Sequence, residues 1–325
     1  MSVQSAPARD LGAVAVTGAS GFIGSHLISK LLAEGHSVTA AARPNSRTDS
    51  GNLAHVGPHR NLRVIRADIL DPSDARAITE ECDTLFHLAA QVDVAHSLKS
   101  PSLFLQTNVT GTYNMLEAAR VQGVQRIVVT SSAEVYGGSP EPLTETSPLM
   151  AKSPYAASKI GKEKLAESYY HSYRLGTVVV RLFNTFGPRQ SNRAVIPWII
   201  NQAITGEELH LGNTNARRDF MFVEDTVDGL IAAATRTGVE GRVFNLATGR
   251  THAIQEVVDR VIELRGRPLR VITEADRVRG TEEVWTLIGD SSAAARDLGW
   301  RAQVPFAEGL RRVYEYFKKT REARA

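Results

Sequence analysis

Short apolar runs alternate with amphipathic stretches through the first half of the chain. "AVAVTG" (13–18) reads as a buried strand, and "GFIGSHLISKLLAEG" as a helix ending at Gly35. "HSVTAAA", "LRVIRADI", "DTLFHLAA", "VQRIVVTSS" and "GTVVVRLFNTFG" read as the second to sixth strands, with helical patterns notably at 101–122 and 153–174. Strands that are apolar almost throughout, separated by helices, predict a parallel sheet covered on both faces. That is the doubly wound α/β class.

The pattern loosens after Gly187. Turns, a helix and a short strand pair precede "GRVFNLATG", which reads as one more sheet strand. The tail from Thr251 predicts a helix, a strand at "PLRVITE", an irregular basic stretch and a final helix near 306–320. We expect a main domain over residues 1–186 with a returning segment at about 220–249, and a smaller, non-contiguous lobe from 187–219 and 250–325.

The bulk numbers narrow the function classes. The chain has 325 residues, 42% hydrophobic and 22% charged, which suits a soluble globular protein of one large domain and a smaller lobe. A formal charge of +3 is spread along the chain with no basic arm, so no nucleic-acid partner is expected. It would suit a phosphorylated small substrate. The single cysteine, Cys82, excludes an internal disulfide and fits a reducing compartment. The N-terminus lacks a basic segment followed by an apolar run, and no apolar stretch reaches membrane-spanning length. The expectation is a cytoplasmic protein with no membrane contact. With no HExxH and no Cys/His cluster, no metal is expected. His87, in "FHLAA", reads as a buried, hydrogen-bonded histidine.

"VTGASGFIG" places Gly18, Gly21 and Gly24 between the first strand and the first helix. Tight turning, close approach to a phosphate and helix–strand packing each favour a residue without a Cβ. The helix N-terminus adds free N–H groups and partial positive charge for a pyrophosphate. This Rossmann arrangement predicts a nicotinamide dinucleotide. The second strand ends "TAAARPNSR", without the carboxylate that would hold an unphosphorylated ribose. Arg43 stands there with Asn45 and Ser46 close behind. Arg43 suits a 2′-phosphate, favouring NADP(H) over NAD(H), or it stacks over the adenine. Asp68 caps the adenine amine or serves as a strand-end turn residue.

"SPYAASK" sets Tyr155 and Lys159 one helical turn apart, on one face. They are an exposed pair or an acid–base couple. A free tyrosine titrates near ~10, and a neighbouring ammonium together with a positive nicotinamide ring is expected to lower that value. "VVTSSAEVYG" brings Ser132 and Glu134 to the carboxyl end of the fifth strand, where doubly wound sheets bind ligands.

Together, "TGASGFIG", "HLAA", "SSAEVYG", "SPYAASK", "RLFNTFGPRQ" and "RRDFMFVEDTVDG" resemble the extended short-chain dehydrogenase/reductase family, specifically its nucleotide-sugar epimerases and dehydratases. The resemblance implies an acid–base couple, with Tyr155 as base, Lys159 as its partner and Ser132 as third member. It implies cofactor contacts at Gly18, Gly21, Phe22, Ile23, Gly24, Asp68, Ile69, Leu88, Ala89, Ala90, Tyr155 and Lys159. It implies substrate contacts at Ser132, Asn184, Val195, Arg218 and Arg279, the arginines on a diphosphate. A nucleotide-diphosphate sugar would bind between the lobes of a homodimer's subunits. Related dehydratases carry a glutamate where Glu134 stands, so the resemblance favours a 4,6-dehydratase passing through a 4-keto sugar. A 4-epimerase, which needs no carboxylate there, is the alternative, and a cofactor-binding scaffold without turnover is a third reading. Ala133 departs from the Asp–Glu pair of the dTDP-glucose enzymes and leaves Glu134 to act alone, as in the GDP-mannose type.

Overall fold

A computed structural model of the chain describes residues 8–43, 51–274 and 284–323. Asn45, Ser46 and Arg279 lie outside the described residues. Six strands follow in chain order: β1 (Val14–Thr17), β2 (Val38–Ala42), β3 (Leu62–Arg66), β4 (Thr84–His87), β5 (Arg126–Ser132) and β6 (Thr177–Leu182). With the strand Val243–Leu246 on the far edge they form a seven-stranded sheet, in the order Val243–Leu246, β6, β5, β4, β1, β2, β3. All six pairings are parallel.

The pleat sorts alternate side chains to opposite faces. Val14, Val16, Phe86, Val128, Val178 and Val180 join one buried cluster, which includes Leu27, Ile28 and Leu31 of the first helix. Ala15, Leu85, Ile127, Val129 and Val179 join the other, with Met115, Leu116 and Ala166. Both faces are therefore covered by helices, as the continuous apolar runs predict. Strand order reverses between β1 and β4, and this opens a crevice at their carboxyl ends. A Cβ built on Gly18, just past β1, would lie 2.9 Å from the Ala89 nitrogen just past β4, so the two loops meet there.

A third apolar cluster lies outside this sheet. It gathers Ile196, Ile199 and Ile200 of the helix Val195–Thr205, Val257, Val258 and Val261 of the helix Ile254–Arg265, and Leu310 and Val313 of the C-terminal helix Phe306–Glu322. Two details differ from the sequence pattern. The run 101–122 is interrupted by a π-helical turn over Gln106–Thr110. "GTVVVRLFNTFG" breaks at Phe183 into β6 and a short strand, Asn184–Phe186, that leaves the main sheet to pair with Phe220–Phe222.

Candidate active site

Ser153 starts the helix Pro154–Tyr173 by accepting a hydrogen bond from the Ala156 N–H at 3.1 Å, with Pro154 at the first helical position. The buried side of this helix is polar: Tyr155, Ser158, Lys159, Lys162 and Glu163 all face inward. The helix crosses the carboxyl end of β5. Ser132 ends that strand and caps the turn Ala133–Tyr136, its Oγ accepting from the Glu134 N–H at 3.2 Å.

The Tyr155 hydroxyl is hydrogen-bonded to the Ser132 side chain, and the charge of Glu134 reaches it. Burial, opposed by the Ser132 bond and reinforced by Glu134, pushes the phenol up to about 12. The expected lowering of this phenol also called on a positive nicotinamide ring, which the chain by itself does not supply. The Lys159 Nζ lies 5.8 Å from the ring centroid and donates instead to the Thr130 carbonyl at 3.1 Å. Burial brings Lys159 down to about 8, with the Glu163 carboxylate opposing the fall. The four residues predicted as catalytic thus meet at one strand end, with a buried phenol that needs further positive charge to ionise.

Glu163 is committed elsewhere. It accepts from the Arg181 guanidinium at 2.7–3.2 Å, and both side chains are at most 5% exposed. Arg181 also donates to the Tyr136 hydroxyl at 2.8 Å, and Tyr136 to Asn245 at 2.7 Å. This chain ties the helix to β6, the turn after β5 and the edge strand.

Sequence reasoning missed Asn108. It is buried, and its amide donates to the Ser158 hydroxyl at 2.8 Å and to the Gln91 carbonyl at 3.0 Å, and accepts from the Gln91 N–H at 2.7 Å. The available signal was an asparagine at helical spacing from Phe104 and Met115, both buried.

The dinucleotide cradle can be tested on its glycines. Gly18 has φ +69°. A Cβ on Gly24 would sit 2.3 Å from the Gly18 carbonyl oxygen, so helix and loop touch backbone to backbone. The first helix, Phe22–Ala33, has no side-chain cap at Gly21 and no acidic residue in its first turn, which leaves its N–H groups and dipole for an anion. Lys159 donates to one carbonyl, that of Thr130, which leaves donor capacity on its ammonium for a ligand. These features fit a nicotinamide dinucleotide.

Other predicted contacts are more mixed. The side chains of Phe22 and Ile23 pack toward the third cluster, so only their backbone faces the cradle. Ile69 is buried against Gly111 and likewise offers only backbone. Asp68 accepts from the Leu70 N–H at 3.0 Å, the turn role that sequence left open. Leu88, Ala89 and Ala90 line the β4 end and are half-buried. Arg43 is exposed at the end of β2, beside a cavity of about 430 Å³ that Arg66 and His59 also line. His87 is buried between the hydroxyls of Thr17 (2.8 Å) and Thr112 (3.0 Å), as expected for a structural histidine.

On the other side of the cleft, Asn184 begins the strand that leaves the sheet, its N–H on the Asp219 carbonyl. Val195 opens the helix Val195–Thr205, and Arg218 is buried in the strand Arg217–Arg218. Sequence reasoning also missed Asp219. Its carboxylate is buried and accepts from the Thr248 N–H and hydroxyl, the Gly249 N–H and the Gly289 N–H. It therefore pins the Arg218 strand to two other segments. Among the described residues no cluster of three metal-ligating side chains occurs, and no helix is long and apolar enough to cross a membrane.

Residues 15–313 match the family model described as GDP-mannose 4,6 dehydratase. The chain is 35% identical to dTDP-glucose 4,6-dehydratase of Streptomyces griseus, over 94% of each chain. It is 34% identical to UDP-glucose 4-epimerase of Mycolicibacterium smegmatis, over 93% of this chain and 97% of the other. A solved double mutant of dTDP-glucose 4,6-dehydratase from Streptomyces venezuelae, with NAD bound, superposes with a TM-score of 0.86 at 30% identity, over 95% of this chain and 98% of that one. With its glycine cradle and its Ser–Tyr–Lys group on a doubly wound sheet, the chain belongs to the GDP-mannose 4,6-dehydratase family, extended short-chain dehydrogenase/reductase enzymes that act as nucleotide-sugar dehydratases and epimerases.

Proposed function

We propose that the protein is a nucleotide-sugar 4,6-dehydratase, and that Tyr155, Lys159, Ser132 and Glu134 carry its chemistry. The observation behind this reading is Glu134, a carboxylate on the turn after β5, close enough to act electrostatically on Tyr155. Ser132 aligns the sugar O4 hydroxyl, and Tyr155 takes its proton. When bound, a nicotinamide would supply in its oxidised form a positive ring beside the phenol and the hydride acceptor for C4, and in its reduced form the hydride donor for C6. Lys159 holds its ammonium at the cleft floor and favours the phenolate. The C4 ketone acidifies the C5 proton, which Glu134 removes. With Ala133 in place of an acid, Glu134 also delivers that proton to the departing C6 hydroxyl, so one water leaves. Once hydride has added to C6, C5 takes up one proton equivalent to the one Tyr155 removed from O4, and its release returns Tyr155 to its starting state.

A 2′-phosphorylated coenzyme fits the end of β2, where Arg43 replaces a carboxylate and Arg66 and His59 line the neighbouring cavity. Segments 187–219 and 250–325 serve as the substrate lobe, with Arg218 on the diphosphate by its fork geometry. Leu98, Leu105, Tyr113, Val121 and Tyr173, large and exposed on the helices at 94–122 and 154–173, support a homodimer. The lone cysteine suits the cytoplasm.

Ala133 favours a second reading, a 4-epimerase that returns hydride to C4. Incubation with GDP-, dTDP-, UDP- and CDP-sugars, with NADP and NAD in parallel, separates the two. The dehydratase gives a product lighter by one water, and Glu134→Gln abolishes that loss. A product of unchanged mass and inverted C4 overturns the proposal.

A further inference from the structure

Lys162 is fully buried, three residues beyond Lys159 on the same helix, and the site described above gives it no task. Its Nζ donates to the carbonyls of His87 at 3.3 Å and Ala89 at 3.1 Å. Those carbonyls belong to the segment after β4 that lies against the glycine loop: the Ala89 N–H donates to the Thr17 hydroxyl at 3.2 Å, and a Cβ on Gly18 would touch Leu88 and Ala89. The second lysine thus sits under the strip between the pyrophosphate cradle and Lys159.

Among the described residues no carboxylate forms a salt bridge with Lys162. Among the described residues its hydrogen bonds go to carbonyls alone. On its own helix the nearest carboxylate, Glu163, is held by Arg181, and the other neighbour is the like charge of Lys159. From β4 it faces the His87 ring, whose two nitrogens are engaged by Thr17 and Thr112. Across the cleft floor lie Tyr155 and Glu134, which act on each other. Burial and the Lys159 charge hold Lys162 well below the ordinary lysine range, and burial does the same to Lys159. A buried cation carries a large desolvation cost, and the two carbonyls offset part of it.

We infer that Lys162 is a positioning residue for the coenzyme's redox state: its ammonium, fixed on the His87 and Ala89 carbonyls behind Lys159, makes a two-cation floor that favours the reduced dinucleotide over the oxidised one. The physical reason is charge. Oxidised nicotinamide carries a positive ring that the reduced form lacks, so buried cations nearby favour the reduced form. In a cycle that lifts hydride from C4 and later returns it, this bias stabilises the stage at which the 4-keto sugar exists. The inference rests on the proposed dinucleotide site.

The test measures the affinities of the oxidised and reduced dinucleotides separately, by calorimetry and by nicotinamide fluorescence, for the wild-type chain and Lys162→Met, starting at a pH low enough that Lys162 carries its proton. The ratio of reduced-form Kd to oxidised-form Kd should rise about ten-fold in the variant, the scale of one partly screened interior charge. As pH rises, the wild type should lose its preference for the reduced form over two proton losses, and Lys162→Met over one. Lys162→Gln, which keeps a donor but no charge, should behave as Lys162→Met does. A residue that merely ties β4 to the helix would change both affinities together. An unchanged ratio in the variants overturns the inference, as does a single proton loss in the wild type, which needs no variant to fold. If the wild type binds neither form, the dinucleotide site itself fails.

Discussion

Replacing Glu163 with glutamine leaves the Arg181 guanidinium buried without its counter-charge. The pair is joined by three contacts of 2.7–3.2 Å, and neither side chain is more than 5% exposed. Removing one member of such a pair costs about 3–5 kcal/mol, because the remaining charge stays desolvated. Unfolding entropy of roughly 2.1 cal/mol/K per residue, over 325 residues, gives about 0.7 kcal/mol per degree. Glu163→Gln should therefore lower Tm by about 4–7 °C in a calorimetric scan. The Glu163 charge also holds Lys159 up, so its loss lowers that pKa from about 8 and moves the alkaline limb of turnover to lower pH. Glu163→Leu combined with Arg181→Met removes both charges and should recover much of the stability, while the pH limb stays displaced. A Tm within one degree of wild type (about 0.7 kcal/mol or less), or an unmoved limb, refutes the claim that this pair both braces the helix and supports the Lys159 charge.

Three further outcomes follow from the same geometry. Gly24→Ala places a methyl 2.3 Å from the Gly18 carbonyl, so dinucleotide affinity should fall at least ten-fold while thermal unfolding stays cooperative. Because Lys159 titrates near 8 in the fold and at 10.5 as a free side chain, its contribution to stability rises with pH between those values, where the unfolded chain binds the extra proton. Turnover that needs the ammonium falls over the same window, so pH scans of activity and of Lys159 ionisation by NMR should show one midpoint, near 8. Asp219→Ala strands the Thr248, Gly249 and Gly289 N–H groups and loosens the Arg218 strand, so substrate KM should rise more than kcat falls.

The parts of the fold that local pattern controls were legible in the sequence. Six strands and the edge strand at Val243–Leu246 follow from apolar runs, and the glycine cradle follows from three residues that must lack a Cβ. Ser132, Glu134, Tyr155 and Lys159 were readable as a group because strand end and helix start fix them within two short motifs. What pattern could not show depends on tertiary surroundings. The upward pull on Tyr155 comes from burial and from where the Lys159 ammonium points, and neither is encoded in the spacing of the two residues. Asn108 shares the buried face of Phe104 and Thr112 at helical spacing, but its partners Gln91 and Ser158 come from other segments that spacing does not identify. Glu163 and Arg181 lie eighteen positions apart on different elements, so their pairing appears only when the helix docks on β6.

In the proposed reaction hydride leaves C4 of the sugar and returns to C6 after Glu134 has driven out water. The most direct measurement places deuterium at C4 of an accepted nucleotide sugar and locates the label in the product by NMR. Deuterium should appear in a new C6 methyl group beside a C4 ketone. Deuterium retained at an inverted C4, with the C6 hydroxyl intact, contradicts it.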